Sequence, residues 1–127
     1  MYYLGRTLSI SFDEAVTRTI AALKTEGFGV LTDIDIQETL KKKIGVDIPR
    51  YRIFGACNPA LAYEALKLES HVGTMLPCNV IVRDAGRSQT EVAAIDPVAS
   101  MQAIDNPALK AAAQEVRAKL ERVIANL

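Results

Sequence analysis

Asn79-Val80-Ile81-Val82-Arg83-Asp84, a turn at Ala85-Gly86-Arg87, and Gln89-Thr90-Glu91-Val92-Ala93-Ala94-Ile95 decide the fold of this chain. Two β-rich runs are joined by a connection too short for the helical crossover that parallel neighbours require. They therefore read as an antiparallel hairpin, though without the Asn-Gly turn that such hairpins favour. Val80 and Val82 fall on one face and Arg83 on the other, so the sheet is expected to have one packed side and one that is exposed or covered by a partner.

Upstream, Tyr2 to Ile10 reads as a strand with Tyr2, Leu4, Leu8 and Ile10 on one face and Arg6 as an interruption. Ser11 and Glu14 form a Ser-x-x-Glu capping box. The helix it starts is expected to bury Phe12, Val16, Ile20 and Leu23 and to stop at Gly27. Phe28 to Ile36 alternates as a second strand, with Phe28, Val30, Ile34 and Ile36 on one side and Asp33 and Asp35 on the other. A short helix over Gln37 to Ile44 ends at Gly45, Asp47-Ile48-Pro49 turns the chain, and Arg50 to Ala56 forms a third strand.

Asn58-Pro59 opens the next helix, because Asn caps well and Pro lacks only an N–H that would be unpaired at that position anyway. Leu61, Ala65 and Leu68 form its expected buried stripe, and Gly73 closes the region. Asp96-Pro97 breaks the hairpin's second strand. Asn106-Pro107 repeats the capping device ahead of a last helix, with apolar positions at Leu109, Ala112, Ala113, Val116, Leu120, Val123 and Leu127. The order β-α-β-(short α)-β-α-β-β-α implies an α+β fold, with helices layered on one face of a mainly antiparallel sheet.

The 127 residues fit a single domain spanning 1–127, and with half of them hydrophobic the chain can build a core without staples. Fifteen basic and fifteen acidic residues cancel. That balance argues against a nucleic-acid partner, and Lys41-Lys42-Lys43 is too short a basic run to change this. No apolar run approaches the ~20 residues of a membrane span, and the first residues show no signal pattern. These features set the expectation of a soluble, cytoplasmic protein with two thiols rather than a disulfide.

The chemistry-bearing residues gather in two short blocks, Cys57-Asn58-Pro59 and Pro77-Cys78-Asn79. Cys57 precedes a helix N-terminus, which favours a thiolate; the reading favoured over that is a small hydrophobe packed at the end of a strand. Cys78 shares a face with Val80 and Val82, which favours a buried, inert thiol; the alternative is the second member of a thiol pair. Asn58 is explained by helix capping, whereas Asn79 sits in a strand, where Asn is depleted, and is a candidate ligand contact or loop partner. His71 with the two cysteines lacks metal-ligand spacing, so no metal is expected. Glu64 is a conceivable base, but a helical glutamate is usually just solvated. Asp33 and Asp35 read as a solvent face. No hydrolase nucleophile motif or phosphate loop is present, and the residues name no cofactor.

The run Phe54-Gly55-Ala56-Cys57-Asn58-Pro59-Ala60-Leu61-Ala62-Tyr63-Glu64-Ala65-Leu66, followed by Gly73-Thr74-Met75-Leu76-Pro77-Cys78-Asn79-Val80-Ile81-Val82, resembles the domain of unknown function 302 family. Asp96-Pro97 resembles the Asp-Pro that follows the family's hairpin. The resemblance spans nearly the whole chain. It implies a curved antiparallel sheet backed by helices, as in the TATA-binding-protein fold, and a tendency to homodimerise. It implies no activity, and it carries over positions alone: Cys57, Asn58, Pro59, Pro77, Cys78 and Asn79. The expected function is a dimeric module that binds a small ligand or partner at a thiol-bearing site on these six residues. The alternative is a thiol-based enzyme or redox sensor in which Cys78 resolves Cys57.

Overall fold

A computed structural model describes all residues, 1–127. Five strands form one antiparallel sheet in the order β1-β5-β4-β3-β2. They are β1 (Tyr3–Leu8), β2 (Gly29–Asp35), β3 (Tyr51–Cys57), β4 (Cys78–Gly86) and β5 (Gln89–Ile95). The helices are α1 (Phe12–Thr25), α2 (Ile36–Ile44), α3 (Pro59–Leu68), α4 (Pro97–Ser100) and α5 (Pro107–Ala125), with a 3-10 helix over Ser70–Met75. The hairpin turns at Arg87 and Ser88, which both take positive φ, 55° and 59°. This is the backbone that matches strand twist, reached here without Asn-Gly.

Both long helices pack on one sheet face. Phe54 and Ala56 of β3, Val80 and Val82 of β4, and Val92 and Ala94 of β5 form a core with Phe12, Val16 and Leu23 of α1 and Leu120 and Val123 of α5. A smaller cluster of Ala65, Val72, Met101, Leu109 and Ala113 joins α3, the 3-10 helix and the segment around α4 to α5. Neither the 3-10 helix nor α4 carries a periodic apolar pattern; both are held by Val72 and Pro97, which are buried against this cluster or beside it.

Local capping follows the sequence. The Glu14 amide donates to Ser11 Oγ at 3.1 Å, but the Glu14 carboxylate pairs with Arg18 at 2.7 Å rather than returning to the cap, so the box is half-formed. Ile20 is 40% exposed, and Thr19, with its hydroxyl bonded to the Ala15 carbonyl at 2.7 Å, takes the buried position instead. On α3 Leu68 is likewise exposed, leaving Ala65 as the buried residue. Arg6 lies on the helix-covered side of β1 and donates to the carbonyl of Ala125, an unpaired acceptor at the end of α5, and to that of Leu127 just beyond it. Tyr2 lies outside the strand and is exposed.

The expectation for the second strand fails at one place. The pairing of β2 with β3 shifts register between Val30 and Thr32. One extra residue in a strand reverses the facing of everything after it. Val30 faces the helices opposite Ala56, whereas Ile34 faces the other side opposite Ile53 and is exposed. Asp33 then falls on the side of Arg52 and pairs with it.

Asp96 caps α4 by accepting from the amides of Val98 and Ala99, and it pairs with Arg117 Nε of α5 at 2.9 Å. Burial raises its carboxyl, but the hydrogen bonds from Arg117, Ala99 and Val98 outweigh that and hold it below the usual carboxylate range. A carboxyl depressed on folding stabilises the protein above its unfolded value of about 4 and loses that contribution as pH falls through the folded value. Wild type is therefore expected to be more stable than Asp96→Asn at neutral pH. Melting temperatures of the two proteins, followed below pH 4, should converge.

Candidate functional site

The two cysteine-bearing blocks meet because β3 and β4 are neighbours. Ala56 pairs with Cys78 and Gly55 with Asn79. Gly55 is needed there: a Cβ would collide with Thr32 Oγ1 and lie 2.7 Å from Pro77 Cγ. Asn58 does two jobs. Its Oδ1 accepts from the Leu61 amide to cap α3, and its Nδ2 donates to the Glu26 carbonyl, each at 3.3 Å. The same amide packs on Gly27, whose φ of 83° and missing Cβ give it room. Asn58 thus ties the α1–β2 turn to the start of α3, and Pro59 occupies that helix's first turn, exposed. Asn58→Ala is expected to lower stability by roughly 1–3 kcal/mol, through a lost cap and one orphaned carbonyl, read by chemical denaturation.

Cys57, Asn58, Pro77 and Cys78 line one cavity under α3 and α5, together with Phe28 and Leu109. It lies where the main core meets the smaller cluster. Its volume is about 40 Å³ and nearly all its walls are apolar. A space of that size has room for at most a very small guest. Both thiols are free. Burial, and secondarily the nearness of Cys57, pushes the Cys78 thiol up to about 11.

Asn79 is not in this cavity. Since Cys78 faces the helices, strand alternation turns the next residue to the opposite face. There the register sets out the pairs Tyr3–Ile95 and Asn79–Gly55 at one end, followed by the rows Gly5–Ala93–Ile81–Ile53 and Thr7–Glu91–Arg83–Tyr51. Ala93 and Gly5 make the middle row low, and the Tyr3 ring leans over Gly5. The result is a groove of about 490 Å³ bordered by Tyr2, Tyr3, Tyr51 and Asn79, with Ile81 and Ala93 in its floor. At one end Arg83 Nε meets Glu91 Oε1 at 2.6 Å. The Asn79 amide is exposed and has no hydrogen-bond partner in the chain. Of the six residues of the two blocks, four share the thiol-side cavity, Pro59 stands outside it, and Asn79 belongs to the other face, where Pro77 and Asn79 also border a shallow concavity with Ile95 and Ser100. Sequence reading singled out Asn79 but missed Tyr3, Tyr51, Arg83 and Glu91. The available signal was their shared parity on strands whose register was not yet known.

His71 is 90% exposed on its side chain and its Nδ1 lies 3.4 Å from Glu69 Oε1. The backbone amide of His71, then its ring, holds the Glu69 carboxyl below its ordinary value. Glu64 is paired with Lys67 at 2.8 Å. No three His, Cys, Asp or Glu side chains converge as a metal site. No helix is long and apolar enough to cross a membrane.

These features define an α+β domain with an open five-stranded sheet, one face packed by helices and the other presenting a tyrosine-bordered groove. The chain belongs to the family called domain of unknown function DUF302, whose model matches residues 4–127. It is also similar to a crystal structure of an uncharacterized conserved DUF302 protein from Bacillus stearothermophilus. That likeness has a TM-score of 0.92 and 29% sequence identity, covering 99% of this chain and 98% of the other. Among curated proteins, none matches the chain.

Proposed function

We propose that this domain is a cytoplasmic small-molecule-binding module that takes its ligand on the uncovered sheet face, in the groove beside Asn79. The observation that carries the reading is the contrast between the thiol-side cavity and the groove, two of the concavities that the Cys-Asn blocks line. The groove, at about 490 Å³, lies within the range of small-molecule sites, whereas the cavity on the thiol side offers about 40 Å³. The Cys57 and Cys78 blocks then act as the joint that holds β3, β4 and α3 in place. Two free thiols suit a reducing compartment. The thiol-enzyme alternative draws less support, because a resolving thiol must ionise to attack and burial opposes that at Cys78.

Crystallographic fragment screening tests the reading. Fragments should collect in the groove; a set of fragments that collects only beside Cys57, or nowhere, would overturn it. A dimer is a second element of the proposal. Leu31 and Ile34 on edge strand β2, with Ile44 and Val46 at the end of α2, are all more than 40% exposed. Exposed apolar surface of that kind favours a partner. A sedimentation experiment that finds only monomer at micromolar concentration would remove the dimer and leave the ligand groove standing.

A further inference from the structure

The chemistry of the groove narrows the class of ligand, an inference that rests on the reading just given. Three features act together. The first is aromatic walls: Tyr2 and Tyr3 stand edge to face with ring centroids 5.2 Å apart, and Tyr51 borders the groove from β3. The floor between them is low and apolar because Ala93 and Ile81 supply it. Such a slot favours a flat ring over a bulky aliphatic one, since stacked and edge-on ring contacts add to burial.

The second feature is charge. The one cation and one anion bordering the groove, Arg83 and Glu91, are directly paired across neighbouring strands. Joined through Arg83 Nε, the two carry no net charge, so the groove offers no net charge to an ionic ligand. A charged group bound there would lose hydration without a net counter-charge.

The third is Asn79. Its amide presents one acceptor and a two-proton donor at the groove's edge, and neither is used within the chain. A ligand edge with an adjacent donor and acceptor satisfies both at once. That is the bidentate geometry by which an asparagine matches an adenine edge.

We infer that the groove binds an uncharged planar heteroaromatic molecule carrying an adjacent donor–acceptor edge, seated among the tyrosines and read by Asn79. No covalent step is involved. The probes are adenine, purine (the same ring without the exocyclic amine) and cyclohexanol as a non-planar, uncharged control. Each is titrated to millimolar concentration into the ¹⁵N-labelled full chain and followed by amide chemical shifts. Asn79→Ala serves as the variant; the residue is exposed, so the fold is retained.

Adenine should shift the amides of Tyr3, Asn79, Ile81 and Ala93, with purine binding about tenfold more weakly or worse, and Asn79→Ala should erase the difference. Adenine and purine binding equally to the wild type would overturn the role of Asn79. Cyclohexanol filling the groove while adenine does not would overturn the planar class but keep the groove as the binding site. If no probe moves these amides, or if they shift only with protein concentration because a second copy covers the face, both the ligand class and the binding groove fall.

Discussion

At pH 7 the reactive thiolate of Cys78 is expected to be roughly 100-fold scarcer than that of an unperturbed cysteine, and its labelling by iodoacetamide correspondingly slow, before any shielding by the fold is counted. The thiolate is the reacting species, and the Cys78 thiol is pushed up to about 11, mainly by burial. Cys57, half-buried at the end of β3, should be labelled first. Mass spectrometry of a labelling time course, with and without denaturant, reads both rates. Equal labelling of the two cysteines in the folded protein would overturn the picture of Cys78 as an inert core thiol and would revive the thiol-enzyme alternative.

The same burial has a thermodynamic consequence. Burial on folding pushes this thiol from its ordinary value of 9.0 up to about 11. A thiol raised on folding contributes stability below its unfolded value and loses it as pH rises toward the folded one. Up to about 3 kcal/mol should therefore disappear between about pH 9 and 11. Cys78→Ala should flatten that part of the stability profile, which distinguishes this thiol from the tyrosines and lysines that titrate in the same range.

The second large effect is expected at Phe54, the largest fully buried side chain, on the central part of β3. Phe54→Ala removes an aromatic ring from the layer between the sheet and helices α1 and α5, and should cost about 3–5 kcal/mol. Domains of this kind are stable by only about 5–15 kcal/mol, so the melting temperature should fall by on the order of 10 °C or more. Ile53 is the control. It precedes Phe54 on the same strand but faces the groove side and is partly exposed, so Ile53→Ala should cost clearly less. Equal losses at 53 and 54, measured by urea unfolding, would contradict the sidedness of the sheet.

Strand alternation, capping residues and turn lengths were enough to locate all five strands and the four longer helices within a few residues. Each of those signals is local: Ser11, Asn58 and Asn106 cap helices by bonding amides three residues away, and the 85–88 connection is short whatever surrounds it. The facing of β2 after Val30 was not legible, because a one-residue bulge is set by how β2 pairs with β3 rather than by the residues of β2 alone. The 3-10 helix and α4 were missed for a related reason: their order comes from contacts with the Leu109 and Ala113 face of α5.

The site divides along the same line. By itself the sequence determined that two Cys-Asn blocks begin regular structure, that Asn58 caps a helix, that Cys78 lies on the apolar side of its strand, and that Asn79 has no local structural duty. Only the tertiary structure decided that Gly55 and Asn79 are paired neighbours, that the face opposite Cys78 carries a groove, and that Tyr3, Tyr51, Arg83 and Glu91 gather around Asn79. The reason is register. A strand's own alternation assigns its side chains to two faces, but which residues of β1, β3 and β5 lie beside Asn79 depends on pairings between segments as far apart as Tyr3 and Ile95.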